Sequence, residues 1–226
     1  QYISAGTLAT PELLIEQAFN EIIHFAQISK NGAVYAQNAI NEADTDKFEE
    51  LRKKLVKYEE ISDRIEYEIA TFLNGVSAEE ISENTSIKIK AMYKIIGELE
   101  SLGDSGEAIS RILSRKNIHN KRFNKEALKN LNLMAGAVST AYDVMIENLT
   151  SAHKGELVDI ANAYSAEDHL NALRNNLRDA VIEDVENDGK NYQTSVYYMD
   201  IVNAYEHMGD FMINVSQDLE RGFAHK

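Results

Sequence analysis

The chain has 226 residues, of which 44% are hydrophobic, and a formal net charge of −14 from 23 basic and 37 acidic residues. This acidic balance argues against nucleic-acid binding, which normally requires a basic patch or stripe, and against electrostatic docking on anionic lipids. Because the chain has no cysteine, disulfides, thiolate zinc sites and cysteine nucleophiles are excluded. The sequence also lacks an apolar run of about 18 residues, so we expect no direct insertion of this chain into a membrane.

The apolar pattern indicates an all-α fold. Only one of the 226 residues is proline, whereas an average composition of about 5% would give about 11. Apolar residues recur at intervals of three and four along most of the chain, which is the spacing of one helix face. The spacing predicts six helices, over about 11–39, 46–74, 77–113, 125–149, 154–187 and 192–219.

Helix start signals support these boundaries. Thr10 precedes Pro11 at the first predicted helix, a typical combination of N-cap and first helical position. Thr45 or Asp46 is expected to cap the second helix, and Asn124 the fourth. The segment 77–80 (Ser-Ala-Glu-Glu) has the pattern of a capping box for the third helix.

The two halves of the chain repeat each other. Glu206 begins a motif that lies 106 residues after a similar motif at Glu100, and the motif at Glu167 lies 108 residues after that at Glu59. This period is too long for a solenoid unit of 20–50 residues. It predicts two tandem three-helix bundles, over residues 1–114 and 124–226, with a linker over 115–123.

Pairs of polar side chains recur beside the apolar seams of four predicted helices. Their members are four residues apart, so each pair lies on one helix face. The pairs are Glu59 and Asp63, Glu100 and Asp104, Glu167 and Asn171, and Glu206 and Asp210. Like charges at this spacing destabilise a helix slightly, and a bound cation would offset that cost. The spacing alone leaves both a metal site and a solvated acidic face open.

Two glycines stand next to these pairs. Gly103 and Gly209 each precede the aspartate of a late motif. Since glycine costs about 1 kcal/mol in a helix interior, we expect each to allow another helix or a ligand to approach closely.

These motifs resemble those of the PhoU family. The late motifs are Leu99-Glu-Ser-Leu-Gly-Asp104 and Tyr205-Glu-His-Met-Gly-Asp210, and the early motif is Glu59-x-x-x-Asp63. In the family a late motif usually has arginine after the glutamate, which both copies lack here. Asn171 replaces the aspartate expected in the second early motif.

The resemblance is closer to one branch of that family. The opening, from Tyr2 through Thr10-Pro-Glu-Leu13 to Glu21, is similar to the start of the cytoplasmic PhoU-like tail of bacterial sodium/phosphate cotransporters. Since the first residue is Gln1 rather than Met, we expect a piece of a longer protein. The resemblance implies a non-catalytic regulatory domain at the cytoplasmic face of the inner membrane. Its partners would be the transmembrane transporter domain of the same polypeptide and a second copy in a homodimer.

The resemblance also implies metal binding. The cofactor would be divalent or trivalent metal ions, or a multinuclear cluster, of iron, zinc, manganese or nickel. The implied ligands are Glu59, Asp63, Glu100, Asp104, Glu167, Glu206 and Asp210. We expect the first-repeat site, with four carboxylates, to be the stronger.

Two alternatives remain open at this stage. A free-standing PhoU-like regulator of phosphate uptake and signalling has the same fold and motifs. A carboxylate-bridged di-metal enzyme, such as a phosphohydrolase or an oxidase, could use paired metals to activate water. No general acid or phosphate-clamping arginine stands out near the motifs, which favours a regulatory role.

Overall fold

Six α-helices account for most of the chain. The computed structural model describes residues 10–78, 80–187 and 192–224, and these ranges contain no strand. The helices are α1 (Pro11–Asn41), α2 (Thr45–Ser77), α3 (Glu83–Ile118), α4 (Lys125–His153), α5 (Ala161–Asn187) and α6 (Tyr192–Phe223). The predicted all-α class is confirmed. In the part of the chain that is described, no helix has the length and apolar character needed to cross a membrane.

Two predicted helix starts are confirmed. The Thr10 hydroxyl accepts a hydrogen bond from the Leu13 N–H at 3.4 Å, and Pro11 begins α1. At the start of α4, Oδ1 of Asn124 accepts from the Ala127 N–H at 2.7 Å. Both side chains bond an N–H group that has no partner within its own helix.

Two other predicted caps are wrong. The N-cap of α2 is Asp44, not Thr45 or Asp46, and its Oδ1 accepts a backbone N–H three residues later at 3.0 Å. Ser77 is the last residue of α2 rather than the cap of α3, and its hydroxyl donates a hydrogen bond to the backbone carbonyl four residues earlier in α2. Ser82 caps α3 instead.

The connections after α3 and α4 also differ from expectation. Helix α3 continues to Ile118, so the first part of the predicted 115–123 linker is helical. A loop replaces the predicted first residues of α5, and Gly155 in it adopts φ +75°, a left-handed conformation that suits glycine. Oδ1 of Asp159 accepts from the Ala161 N–H at 3.0 Å, where α5 begins. The domain boundaries drawn from the sequence stay a prediction.

The helices pack as two triangles joined side by side. Helices α1, α2 and α3 contact one another, as do α4, α5 and α6, and the largest contact joins α3 to α6 across the two halves. A second cross-contact joins α1 to α4. Within the described ranges, α2 and α5 contact only the helices of their own half, so each forms an outer face.

The predicted apolar seams of the two central helices are confirmed by burial. All predicted seam positions of α3 are buried, namely Met92, Ile95, Leu99, Leu102, Gly106, Ile109 and Leu113. The same holds for α6, at Ile201, Tyr205, Met208, Met212, Val215 and Leu219. The α5 seam ends earlier than expected, since Ala180 is exposed. The seams face inward, which leaves the residues beside them at the grooves between helices.

Candidate metal centre

Three carboxylates converge in the groove between α2 and α3. Glu59 and Asp63 lie one turn apart on α2, and Asp104 lies on α3. One oxygen from each lies within 4.8 Å of one oxygen from each of the others. Across the described residues, this is the one set of three acidic or histidine side chains with such geometry. Glu59 and Asp104 are half-buried and Asp63 is exposed, so the cluster opens to solvent on one side.

A glycine–serine contact brings the two helices together at this point. A Cβ atom on Gly103 would lie 2.2 Å from Oγ and 2.6 Å from Cβ of Ser62, which is too close for any real side chain. Only glycine at position 103 therefore permits this helix separation. The predicted close approach at Gly103 is confirmed, and it places Asp104 opposite Asp63.

Glu100 adjoins the cluster without belonging to the set of three. The pKa of Glu100 is raised to about 7, first by burial and then by the negative charges of Asp104, Asp63 and Glu66. The pKa of Asp104 is also raised, first by burial and then by the negative charge of Asp63, although Glu100 and Arg111 act to lower it. Arg111 forms its ion pair with Glu107, outside this group of carboxylates.

Two further observations indicate that the cluster of Glu59, Asp63 and Asp104 is suited to a cation. Oδ1 of Asp104 is buried and has no hydrogen-bond partner. No ion pair in the described part of the chain involves Glu59, Asp63, Glu100 or Asp104. Burial and the neighbouring carboxylates Asp63 and Asp104 raise the pKa of Glu59. Carboxylates without an ion-pair partner around a buried oxygen are the donor set that hard metal ions take.

The equivalent groove between α5 and α6 is organised differently. Nη2 of Arg174 forms an ion pair with Oε1 of Glu206 at 2.9 Å. Nδ2 of Asn171 donates a hydrogen bond to Oε1 of Glu167 at 3.1 Å. Burial and Glu206 raise the pKa of Asp210, whereas His207 and Arg174 lower it. The predicted ligands Glu167, Glu206 and Asp210 lie in one groove, but they do not form a set of three converging oxygens within the described residues.

Comparison with known proteins identifies the fold. No protein-family model and no curated protein matches the sequence. PhoU from Pseudomonas aeruginosa matches in structure with a TM-score of 0.79 and 12% identity, over 92% of this chain and 96% of its own. The chain has a PhoU-like fold. A second match is the phosphate transport system regulatory protein PhoU from Streptococcus pneumoniae, with a TM-score of 0.75 and 14% identity, over 93% of this chain and 95% of its own.

Within this PhoU-like fold, sequence reasoning overlooked Arg174. The offset of 108 residues that aligns Glu59 with Glu167 also aligns Glu66 with Arg174. Glu66 acts on Glu100 in the first half, as Arg174 acts on Glu206 in the second. Extending the motif comparison by one further turn of helix would have found this exchange of an acidic for a basic side chain.

Proposed function

We propose that this chain is a non-catalytic regulator of phosphate transport that binds metal ions through its first acidic cluster. The convergence of Glu59, Asp63 and Asp104 carries this proposal, because it brings three carboxylate oxygens within 4.8 Å of one another in a PhoU-like fold. The matching structure from Streptococcus pneumoniae is described as a phosphate transport system regulatory protein. Both matches cover nearly the whole of the matched chains.

The proposed ligands are the three converging carboxylates together with Glu100. Bound metal would supply positive charge to this cluster of carboxylates. Carboxylate oxygens are hard ligands, so manganese or iron suits them better than zinc or nickel. The ligands come from α2 and α3, and binding would therefore fix these two helices against each other.

A link between α2 and α3 offers a means of regulation. Helix α2 contacts only α1 and α3 among the described helices, and one of its faces is open to solvent. Metal occupancy would favour one position of α2, because the ligands from both helices must be in place together. A partner that binds the open face of α2 would then respond to metal.

Elemental analysis of protein purified without chelator or metal-binding tag tests the proposed ligands. We expect stoichiometric manganese or iron, lost in Asp104→Asn and retained in Glu68→Gln. The control removes the same charge from an exposed position of α2, away from the groove. If neither purified protein nor protein loaded with each candidate ion holds metal, the proposed metal function is wrong.

Regulation of transport requires a cellular test. In cells that lack this chain, we expect altered phosphate uptake when phosphate is limiting. The wild-type sequence should restore it and Asp104→Asn should not. Unchanged uptake at every phosphate level would contradict a regulatory role.

Two settings for the regulator can be distinguished. The free-standing form agrees with the coverage of the two PhoU chains and is the setting we propose. The opening residues instead support a tail of a sodium-coupled phosphate transporter at the inner membrane, although residues 1–9 lie outside the described part. A membrane-spanning segment encoded upstream of Gln1 would establish the tail, and an adjacent start codon the free-standing form.

A further inference from the structure

The acidic groove between α5 and α6 contains a positively charged side chain, that of Arg174, which forms an ion pair with Glu206. We infer that the Arg174 guanidinium occupies the position that a metal ion would otherwise take between α5 and α6. The second half of the chain would then bind no metal. This inference rests on the proposed metal function of the first half, because it concerns which of the two clusters takes the ion.

The two clusters differ in charge at equivalent positions. Five acidic positions of the first groove give a formal charge of −5: Glu59, Asp63, Glu66, Glu100 and Asp104. Arg111 also acts on Asp104, but it forms its ion pair with Glu107, outside this set. In the second groove the equivalent residues give −2: Glu167, Asn171, Arg174, Glu206 and Asp210. Two of the five positions differ between the halves, and both differences reduce the negative charge; one of them introduces a permanent positive charge.

The ion pair of Arg174 occupies a partly buried position. The side chain of Arg174 is 25% exposed and that of Glu206 is 15% exposed, at a separation of 2.9 Å. Removing one partner of such a pair leaves the other charge without compensation in a poorly solvated place. A metal ion that entered this groove would repel the guanidinium and would have to displace it from Glu206.

The remaining ligands are also engaged or separated. The amide of Asn171 donates to Glu167, and Nε2 of His207 lies 3.6 Å from Oε2 of Glu206. Leu170 stands where the first half has Ser62, and its Cδ1 would lie 3.0 Å from a Cβ on Gly209. An apolar side chain therefore separates α5 and α6 at the level where the first pair of helices is in direct contact.

Metal content of two aspartate variants decides between one and two sites. Protein loaded with Mn²⁺ and freed of excess ion should lose its metal in Asp104→Asn and keep the wild-type content in Asp210→Asn. A loss of metal in Asp210→Asn would overturn the inference and leave the proposed function intact. Absence of metal from wild-type protein would instead overturn the proposed function.

Changing the charge at position 174 tests the role of the arginine itself. Arg174→Glu restores the residue type of the equivalent Glu66 and should increase Mn²⁺ content above wild type. Adding Asp210→Asn to this variant should remove the increase. Arg178→Glu, one turn along the exposed side of α5, should leave Mn²⁺ content unchanged. No increase in folded Arg174→Glu, or an equal increase in the control, would contradict the inference.

Thermal unfolding of metal-free protein gives a readout that does not depend on any ion. Arg174→Gln should lower the melting temperature by about 2–6 °C, as expected for the loss of one partly buried ion pair in a chain of this length. Glu206→Gln should do the same, and the double variant should lose less than the sum of the two. Additive losses would show that the two side chains are not coupled and would refute the inference, whether or not the first cluster binds metal.

Discussion

Gly103→Ala should separate α2 from α3 at the proposed metal centre. The added methyl group would lie 2.6 Å from Cβ of Ser62, which cannot rotate away, and 2.2 Å from its hydroxyl. A relaxed contact is about 3.5–4.0 Å, so the helices must move apart by about 1 Å. Overpacking of this kind costs about 1–3 kcal/mol, and the gain in helix propensity recovers about 1 kcal/mol. We expect a net loss of stability of up to about 2 kcal/mol.

Two further variants make this test specific. Gly97→Ala lies on the same helix with no atom within 4 Å of the added Cβ, and it should stabilise the protein by about 0.5–1 kcal/mol. Ser62→Gly combined with Gly103→Ala removes both clashing atoms and should recover most of the loss. Mn²⁺ binding should weaken in Gly103→Ala alone, because Asp104 moves away from Glu59.

Thermal unfolding, measured by circular dichroism with and without Mn²⁺, supplies the comparison. A shift of about 2–4 °C per kcal/mol applies to chains of this size. The reasoning is refuted if Gly103→Ala is as stable as Gly97→Ala. It is also refuted if the double variant with Ser62→Gly is less stable than Gly103→Ala alone, because the predicted contact would then be absent.

Three other predictions concern the stability of metal-free protein. Stability should fall by about 1–2 kcal/mol from pH 5 to pH 8, because the pKa of Glu100 is raised from its ordinary 4.5 to about 7 in the folded state. In this interval the folded state therefore binds more protons than the unfolded state. Partial exposure of the groove to solvent reduces the size of the effect. Denaturation at several pH values checks this, and Glu100→Gln should flatten the dependence. Tyr142→Phe should cost about 1–2 kcal/mol in urea unfolding, because it leaves the buried Ser29 hydroxyl without its 2.7 Å partner, and adding Ser29→Ala should not increase the loss. Gly222→Ala should lower the melting temperature by about 2–8 °C, because its Cβ would lie 2.4 Å from that of Ala91 across the α3–α6 contact.

The sequence was sufficient for the central helices because their apolar spacing is unambiguous. Every predicted seam position of α3 and α6 is buried, since each of these two helices packs against three others. Helix starts were less certain where several capping side chains are adjacent. Asp44, Thr45 and Asp46 can each accept a backbone N–H, and the choice depends on the phase of the helix, which α2 takes from its packing.

The loop before α5 could not be predicted from local pattern. Lys154 to Ile160 contain polar and apolar residues that a helix would also tolerate, yet the chain turns at Gly155 with φ +75°. Val158 and Ile160 are nevertheless buried. Their packing against the core, rather than an apolar stripe along a helix, determines the path of this segment. Such tertiary contacts override the weak helical signal.

For the candidate site, helical spacing identified the pairs but not their partners. The four-residue interval places Glu59 with Asp63 and Glu100 with Asp104, each on one helix face. Whether two such faces meet depends on the distance between helices, and that distance depends on Gly103 and Ser62. The glycine was recognised in the sequence, whereas the serine opposite it requires the packed structure.

The duplicated fold shows why a similar backbone does not reveal how many metal ions a chain binds. Both halves place polar pairs in the groove between their second and third helices, and the matching PhoU structures extend over both halves. Repulsion among the carboxylates of a groove can be offset by a bound metal ion or by a basic side chain of the protein, and the same backbone is compatible with both. Glu66 adds a negative charge that acts on Glu100 in the first groove, whereas Arg174 forms an ion pair with Glu206 in the second. This exchange changes the formal charge at one position by two units, and from it we infer that only the first groove takes a metal ion.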